Sequence, residues 1–194
     1  NIGLMEMNLT NKALLLTAGI LSSSMVFASS AGVSLTNDMA KADVSMDMGP
    51  FAFTAGGTHD SDDDTSSGYV GLNIQDTDTS GPLQIGLGVR LYALDNNLNG
   101  RNDDVAVAAA LGGWYRYTFP MANRLSIYAS GYYSPEVLSV SRLDHMYTYD
   151  IRGEYMTTQN TRAYIGYGST VSVYTNDERR ETSDGLSIGA SVAF

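Results

Sequence analysis

The stretch DGLSIGASVAF, residues 184–194, decides the fold. Leu186, Ile188, Ala190, Val192 and Phe194 share one parity; Gly185, Ser187, Gly189, Ser191 and Ala193 share the other. Successive side chains of an extended strand point to opposite faces. Period two therefore sets an apolar face with an aromatic end against a face of small and polar residues.

The same alternation recurs upstream. Leu83, Ile85, Leu87, Val89, Leu91 and Ala93 stand opposite Gln84, Gly86, Gly88, Arg90 and Tyr92. Val105 to Phe119, Leu125 to Tyr133, Tyr147 to Tyr155 and Arg162 to Val173 repeat the pattern, as do Ala42, Val44, Met46 and Met48 against Lys41, Asp43, Ser45 and Asp47. Ten strands are expected, at 31–36, 40–48, 51–59, 65–76, 81–94, 103–119, 123–134, 144–157, 161–175 and 182–194, with eight as the alternative count. An even number is required if both chain ends are to lie on one side of a membrane.

The links between these strands alternate in length. TNDERRETSD, SPEVLSVSRLD and DNNLNGRND are long; TTQN, PMAN and Gly49-Pro50 are short; DTDTSG is intermediate. The proposed long-loop rim, with DSDDD (60–64), holds fourteen acidic and four basic residues, while the remainder of the chain past residue 28 holds six of each. Long polar loops on one rim and tight turns on the other predict a transmembrane antiparallel up-and-down β-barrel. A closing strand ending on an aromatic fits, because an unpaired edge in hydrocarbon is too costly. Tyr133, Tyr147 and Tyr149 toward the long loops, and Tyr117, Phe119, Tyr155 and Phe194 toward the short turns, are expected to form two interfacial girdles. The competing fold is a secreted β-sandwich, which would bury the same apolar faces between two sheets. A lipocalin-like barrel would instead carry its apolar face inside.

The N-terminal segment reads as a signal peptide. Lys12 precedes the apolar run Ala13–Leu21, and Val26-Phe27-Ala28 has the small-residue spacing of a cleavage site. Residues 1–28 are thus the expected leader, with Met7 as a plausible initiator, and 29–194 a single barrel domain. Zero cysteines exclude disulfides and thiol chemistry, and a net charge of −10 argues against a nucleic-acid partner.

GYYSPEVLSV (131–140), then IRGEYM and RAYIGYGSTVSVY, resemble the YfaZ family of small outer-membrane proteins; DSDDD and the Asp-Gly opening the last strand are weaker echoes. The resemblance implies a signal peptide, one β-barrel and an integral location in the outer membrane of Gram-negative bacteria. It also implies recognition of the C-terminal strand by the barrel assembly machinery. It assigns no catalytic residues.

If the apolar faces meet lipid, the interior receives Lys41, Asp43, Asp47, Arg90, Arg116, Asp150, Arg152 and Glu154. Interiors of eight-stranded barrels are just filled by side chains, so a ten-stranded one is narrow. Two readings follow: a salt-bridged plug in a structural or surface-interaction barrel, or a narrow porin-like channel in which these charges select small solutes. A third function, lipid modification, would rest on His59-Asp60-Ser61, whose His-x-Ser spacing is short and lacks an obvious orienting carboxylate. No catalytic set, cofactor or metal site is expected; DSDDD reads as a solvated acidic loop or, less economically, a divalent-cation site. His145 falls beside the tyrosine girdle. Outer-membrane lipids and lipopolysaccharide are the expected partners, and a monomer the expected state.

Overall fold

The computed structural model describes residues 29–61, 65–76, 78, 80–95, 105–140, 143–175 and 179–194. The proposed leader and residues 62–64 of the DSDDD loop lie outside these. Ten strands form one closed antiparallel barrel, each paired with its sequence neighbours. They are β1 (Ser29–Leu35), β2 (Met39–Asp47), β3 (Phe51–Asp60), β4 (Thr65–Gln75), β5 (Leu83–Asp95), β6 (Val105–Thr118), β7 (Leu125–Ser134), β8 (Leu143–Met156), β9 (Thr161–Tyr174) and β10 (Arg179–Ala193). The barrel closes between β1 and β10, in a register running from Ser30↔Ala193 to Leu35↔Ile188.

Period two sorts the side chains. Leu87 is 66% exposed, Ile188 64% and Ile74 62%, and they belong to a band that includes Leu35, Leu91 and Ile165. The parity opposite is buried or half-buried, with Ala106, Ala108, Asn73 and Ser134 fully enclosed. No second sheet covers the apolar band among the described residues, which removes the sandwich. Each such side chain is worth roughly 1.5–3 kcal/mol on leaving water, so the band fits a lipid environment and not an aqueous one. The chain is a transmembrane β-barrel.

The strands and links give the barrel two ends. The near end carries Phe194 and the links 48–50, 119–124 and 157–160; the far end carries the link 36–38 and the described segment 135–140. The expected sorting of long and short links is blunter than the sequence suggested. The far-end link 36–38 is as short as the near-end link 48–50. β10 starts at Arg179, not 182, because Arg179, Arg180 and Glu181 continue the pairing with β9. Strand outside the lipid need not be apolar, so hydropathy could not find that extension. A bulge between Thr182 and Gly185, with Gly185 at φ 134°, restores the register.

β7, with 10 residues, stops short of its 14-residue neighbours β6 and β8. β7 stops at Ser134, followed by Pro135, which has no N–H to donate to a ladder. β6 pairs with β7 only from Leu111 to Thr118, leaving its far half, Val105–Ala110, without that neighbour. The segment after Pro135 takes the vacated place. A 3-10 turn spans Glu136–Leu138, Ser139 bridges to Ala108, and the Val140 N–H donates to the Val107 carbonyl at 2.9 Å.

Close approach of strands is written into two glycines of the wall. A Cβ built on Gly112 would lie 2.0 Å from the Gly131 carbonyl oxygen, which is backbone and cannot swing away. A Cβ on Gly131 would meet nothing nearer than the Thr148 carbonyl at 3.9 Å. Gly112→Ala should therefore abolish refolding to the heat-shifted gel band that marks a closed barrel, while Gly131→Ala should refold like the parent. Equal refolding of the two variants would show that the wall is looser than this geometry.

Candidate functional site: a polar cavity below an apolar cluster

The inward parity of β2, β5, β6 and β8 carries every charged residue expected inside. Lys41, Asp43, Asp47, Arg90, Arg116, Asp150, Arg152 and Glu154 all line one cavity of 610 Å³. Its wall includes Gly49, Asp76, Gln159 and Asn160, so it reaches the near-end links. Toward the far end it extends to Thr58, Ser67 and Thr170.

The charges fall into groups along the axis. Lowest is a buried carboxylate held by two cations. Arg116 donates from Nε to Glu154 Oε2 at 2.8 Å and from Nη2 to Oε1 at 3.3 Å. Arg162 Nε stands 3.9 Å from the same Oε2, and Glu154 is only 4% exposed. Higher, Arg152 Nε donates to Asp150 Oδ1, and the guanidinium lies 4.6 Å from the Tyr164 ring and 5.3 Å from that of Tyr128. A bidentate pair fixes two of a guanidinium's five N–H donors on one carboxylate, so these cations are held and not free to follow a passing solute.

Arg90 is handled differently. Its guanidinium sits between the rings of Tyr69 at 4.5 Å and Tyr132 at 3.9 Å. Nη1 is 3.4 Å from the Tyr92 hydroxyl, and Nε has no hydrogen-bond partner. Tyr132 in turn donates to Asn73 Oδ1 at 2.8 Å. A desolvated cation–π contact is worth about 2 kcal/mol, whereas withdrawing an ion from water costs several kcal/mol. The two rings offset that cost only in part.

Above these groups the character changes. Tyr92, Leu94, Ala106, Ala108, Ala110, Tyr132, Leu143, Met146 and Tyr174 form one buried cluster, contributed by the far halves of β5 to β9. On the β5–β9 side the far part of the interior is thus packed and apolar, while the polar cavity reaches past it along β3, β4 and β9 to Thr58, Ser67 and Thr170. The segment 135–140 bridges to Ala108 from outside this cluster, so the Tyr-Tyr-Ser-Pro-Glu step forms the wall over the filled part.

Sequence reasoning missed Arg162 and the aromatics Tyr69, Tyr92, Trp114 and Tyr128 as cavity groups, and Tyr164 as the ring against Arg152. Parity alone would have placed them, since each stands opposite the apolar, outward positions of its own strand. They were passed over because aromatics were sought at the lipid interface. Among the girdle residues, Tyr117 and Phe119 meet edge-on at 5.4 Å near the short turns, with Tyr155 and Phe194 exposed at the same end. Tyr133 lies toward the far end, with the His145 ring 6.3 Å away, and His145 Nδ1 hydrogen-bonds Asp144 Oδ2 at 2.6 Å. Tyr147 shares that far half, but Tyr149 stands midway along β8, against Tyr167. His59 is exposed, with Nδ1 3.1 Å from Ser66 Oγ. Ser61 donates instead to the Asp38 carbonyl at 2.7 Å, so the His59–Ser61 pair is not assembled. No group of three or more metal-ligating side chains gathers among the described residues.

No curated protein matches the chain. Among solved structures it is similar to the outer membrane channel DcaP of Acinetobacter baumannii, at 12% identity and a TM-score of 0.43. That match covers 84% of this chain but only 54% of the other. The KdgM porin is similar at 13% identity and a TM-score of 0.43, with 86% and 99% covered. OmpT of Vibrio cholerae gives 16%, 0.40, and 91% and 67%. A family model described as YfaZ precursor matches residues 5–194, and the chain belongs to that family.

Proposed function

We propose that this barrel is an integral protein of the bacterial outer membrane and acts there as a narrow porin-like channel for small solutes. In this reading the near end faces the periplasm, the apolar band contacts outer-membrane lipid and lipopolysaccharide, and the barrel is a monomer without enzymatic activity. The observation that carries it is the 610 Å³ polar cavity reaching the near-end links. That volume lies in the ordinary range for small-molecule sites. The cluster around Met146 and Leu143 is then a gate: an apolar constriction blocks ions by excluding water until it is displaced.

A second reading, a plugged structural barrel, is favoured by the pairing of Arg116 with Glu154 and Arg152 with Asp150. Here the charges specify the interior and carry nothing. Both readings require the same stability result. Glu154→Gln removes the negative partner and leaves Arg116 and Arg162 facing each other, a loss of about 3–5 kcal/mol for a broken buried pair. The midpoint of urea unfolding in lipid vesicles should fall accordingly, with Arg116→Met plus Glu154→Leu costing less than Glu154→Gln alone.

Conductance separates the readings. Refolded, heat-shifted protein in planar bilayers should show small, infrequent steps, and Met146→Ser, which wets the apolar cluster, should make them several times more frequent. Arg152→Ala should alter their amplitude. Silence from both the parent and the Met146→Ser variant, each demonstrably folded, would sink the channel and leave the plug.

A further inference from the structure

Arg90 differs from the cations paired around it. Arg116 and Arg152 each hold a carboxylate, and Arg162 shares one. Arg90 has no carboxylate within 4 Å among the described residues, and its Nε is buried without a partner. Two neighbours share that condition: the Thr54 hydroxyl and the Asn73 side-chain nitrogen are also buried and unpartnered. Strand register brings them together. Thr54 faces Gly71 across β3 and β4, Gly71 faces Arg90 across β4 and β5, and Asn73 is two residues along β4 from Gly71. A Cβ on Gly71 would lie 2.8 Å from Arg90 Cγ and 2.9 Å from Thr54 Oγ1, so both side chains crowd over the same glycine.

Buried donors without acceptors are rare in folded proteins and call for an explanation. We propose that Arg90, Thr54 and Asn73 form an oxyanion site for the carboxylate of a small organic acid that enters the cavity from its near end. Tyr69 and Tyr132 both lie against the guanidinium through their ring faces, so its in-plane N–H groups are left for recognition. An edge of parallel N–H groups matches a carboxylate in its own plane. Thr54 and Arg90 both line the cavity, which connects them to the near-end links. Arg116 and Arg162, nearer that end, give an incoming anion an attractive path, but Arg116 is already engaged by Glu154, and Arg162, whose Nε is also buried without a hydrogen-bond partner, stands 3.9 Å from the same carboxylate and so has its charge offset.

The site deepens the porin-like reading by naming its solute, and it rests on that reading only for passage across the membrane. Binding is measured apart from conduction, by calorimetry on refolded protein in detergent at low salt. Fluorescence of Trp114, the single tryptophan and a cavity-wall residue, serves as a second readout. Acetate and benzoate should bind saturably and glucose should not. Arg90→Gln should weaken binding about tenfold to a hundredfold, the span of a lost charge-assisted contact. Thr54→Val, which removes one donor and leaves the charge, should weaken it less. If Arg90→Gln fails to give a heat-shifted band, Arg90→Lys and Thr54→Val carry the test, with the same ordering expected. The proposal is overturned if folded parent protein binds neither acid, or if the variants bind them as tightly as the parent. Inorganic phosphate binding in preference to acetate would overturn the carboxylate assignment. A silent barrel that binds acids would sink only the channel; a conducting barrel that does not would sink only the site.

Discussion

Hydrocarbon offers a peptide group no water to bond with, and that constraint governs this molecule. Every backbone donor at membrane depth needs a partner within the chain. The β1–β10 ladder is the contact that meets the requirement for the sheet as a whole, since without it two full edges would face lipid. Once closure is imposed, the side chains have only two directions. Outward, any apolar residue will serve. Inward, ten strands enclose a bore somewhat wider than the eight-stranded one that side chains just fill, and far narrower than an open porin's.

The interior resolves that tension by division. In the far part of the β5–β9 side, alanines on β6 make room for Tyr132, Met146 and Leu143, and the space is filled in the manner of a soluble core. In its near half, arginines are laid against tyrosine rings or carboxylates, and a cavity remains. The long cations bring apolar stems as well as charge. Glycines opposite them absorb the bulk: Gly71 lies beneath the Arg90 stem and Gly166 beneath that of Arg152. The Gly-rich, Tyr-rich composition thus reflects complementary widths across neighbouring strands more than any local turn.

Much of this was legible before any coordinates. Period two located all ten strands and placed Lys41, Asp43, Arg90, Arg116 and Glu154 inward, because in a single closed sheet parity is the whole of side-chain orientation. What stayed hidden depends on distance between strands far apart in sequence. Nothing in the order of residues says that Arg116 reaches Glu154, or that Arg90 reaches no carboxylate. Parity also cannot say how high a residue stands, which is why Tyr149 was assigned to a rim it does not occupy. The polar start of β10 was missed for the same reason: alternation of lipid-facing residues ends where the lipid does.

The early end of β7 has a consequence for how the barrel breathes. Around most of its circumference, neighbouring strands are joined by a continuous ladder. Between the far halves of β6 and β8 the join is the 135–140 segment, held to β6 by a bridge and the Val140–Val107 hydrogen bond. Local opening costs least where the fewest hydrogen bonds must break together. The Val140 amide therefore exchanges with solvent deuterium ahead of those in the β8–β9 ladder, and the seam under the Tyr-Tyr-Ser-Pro-Glu step is the part of the wall that yields first.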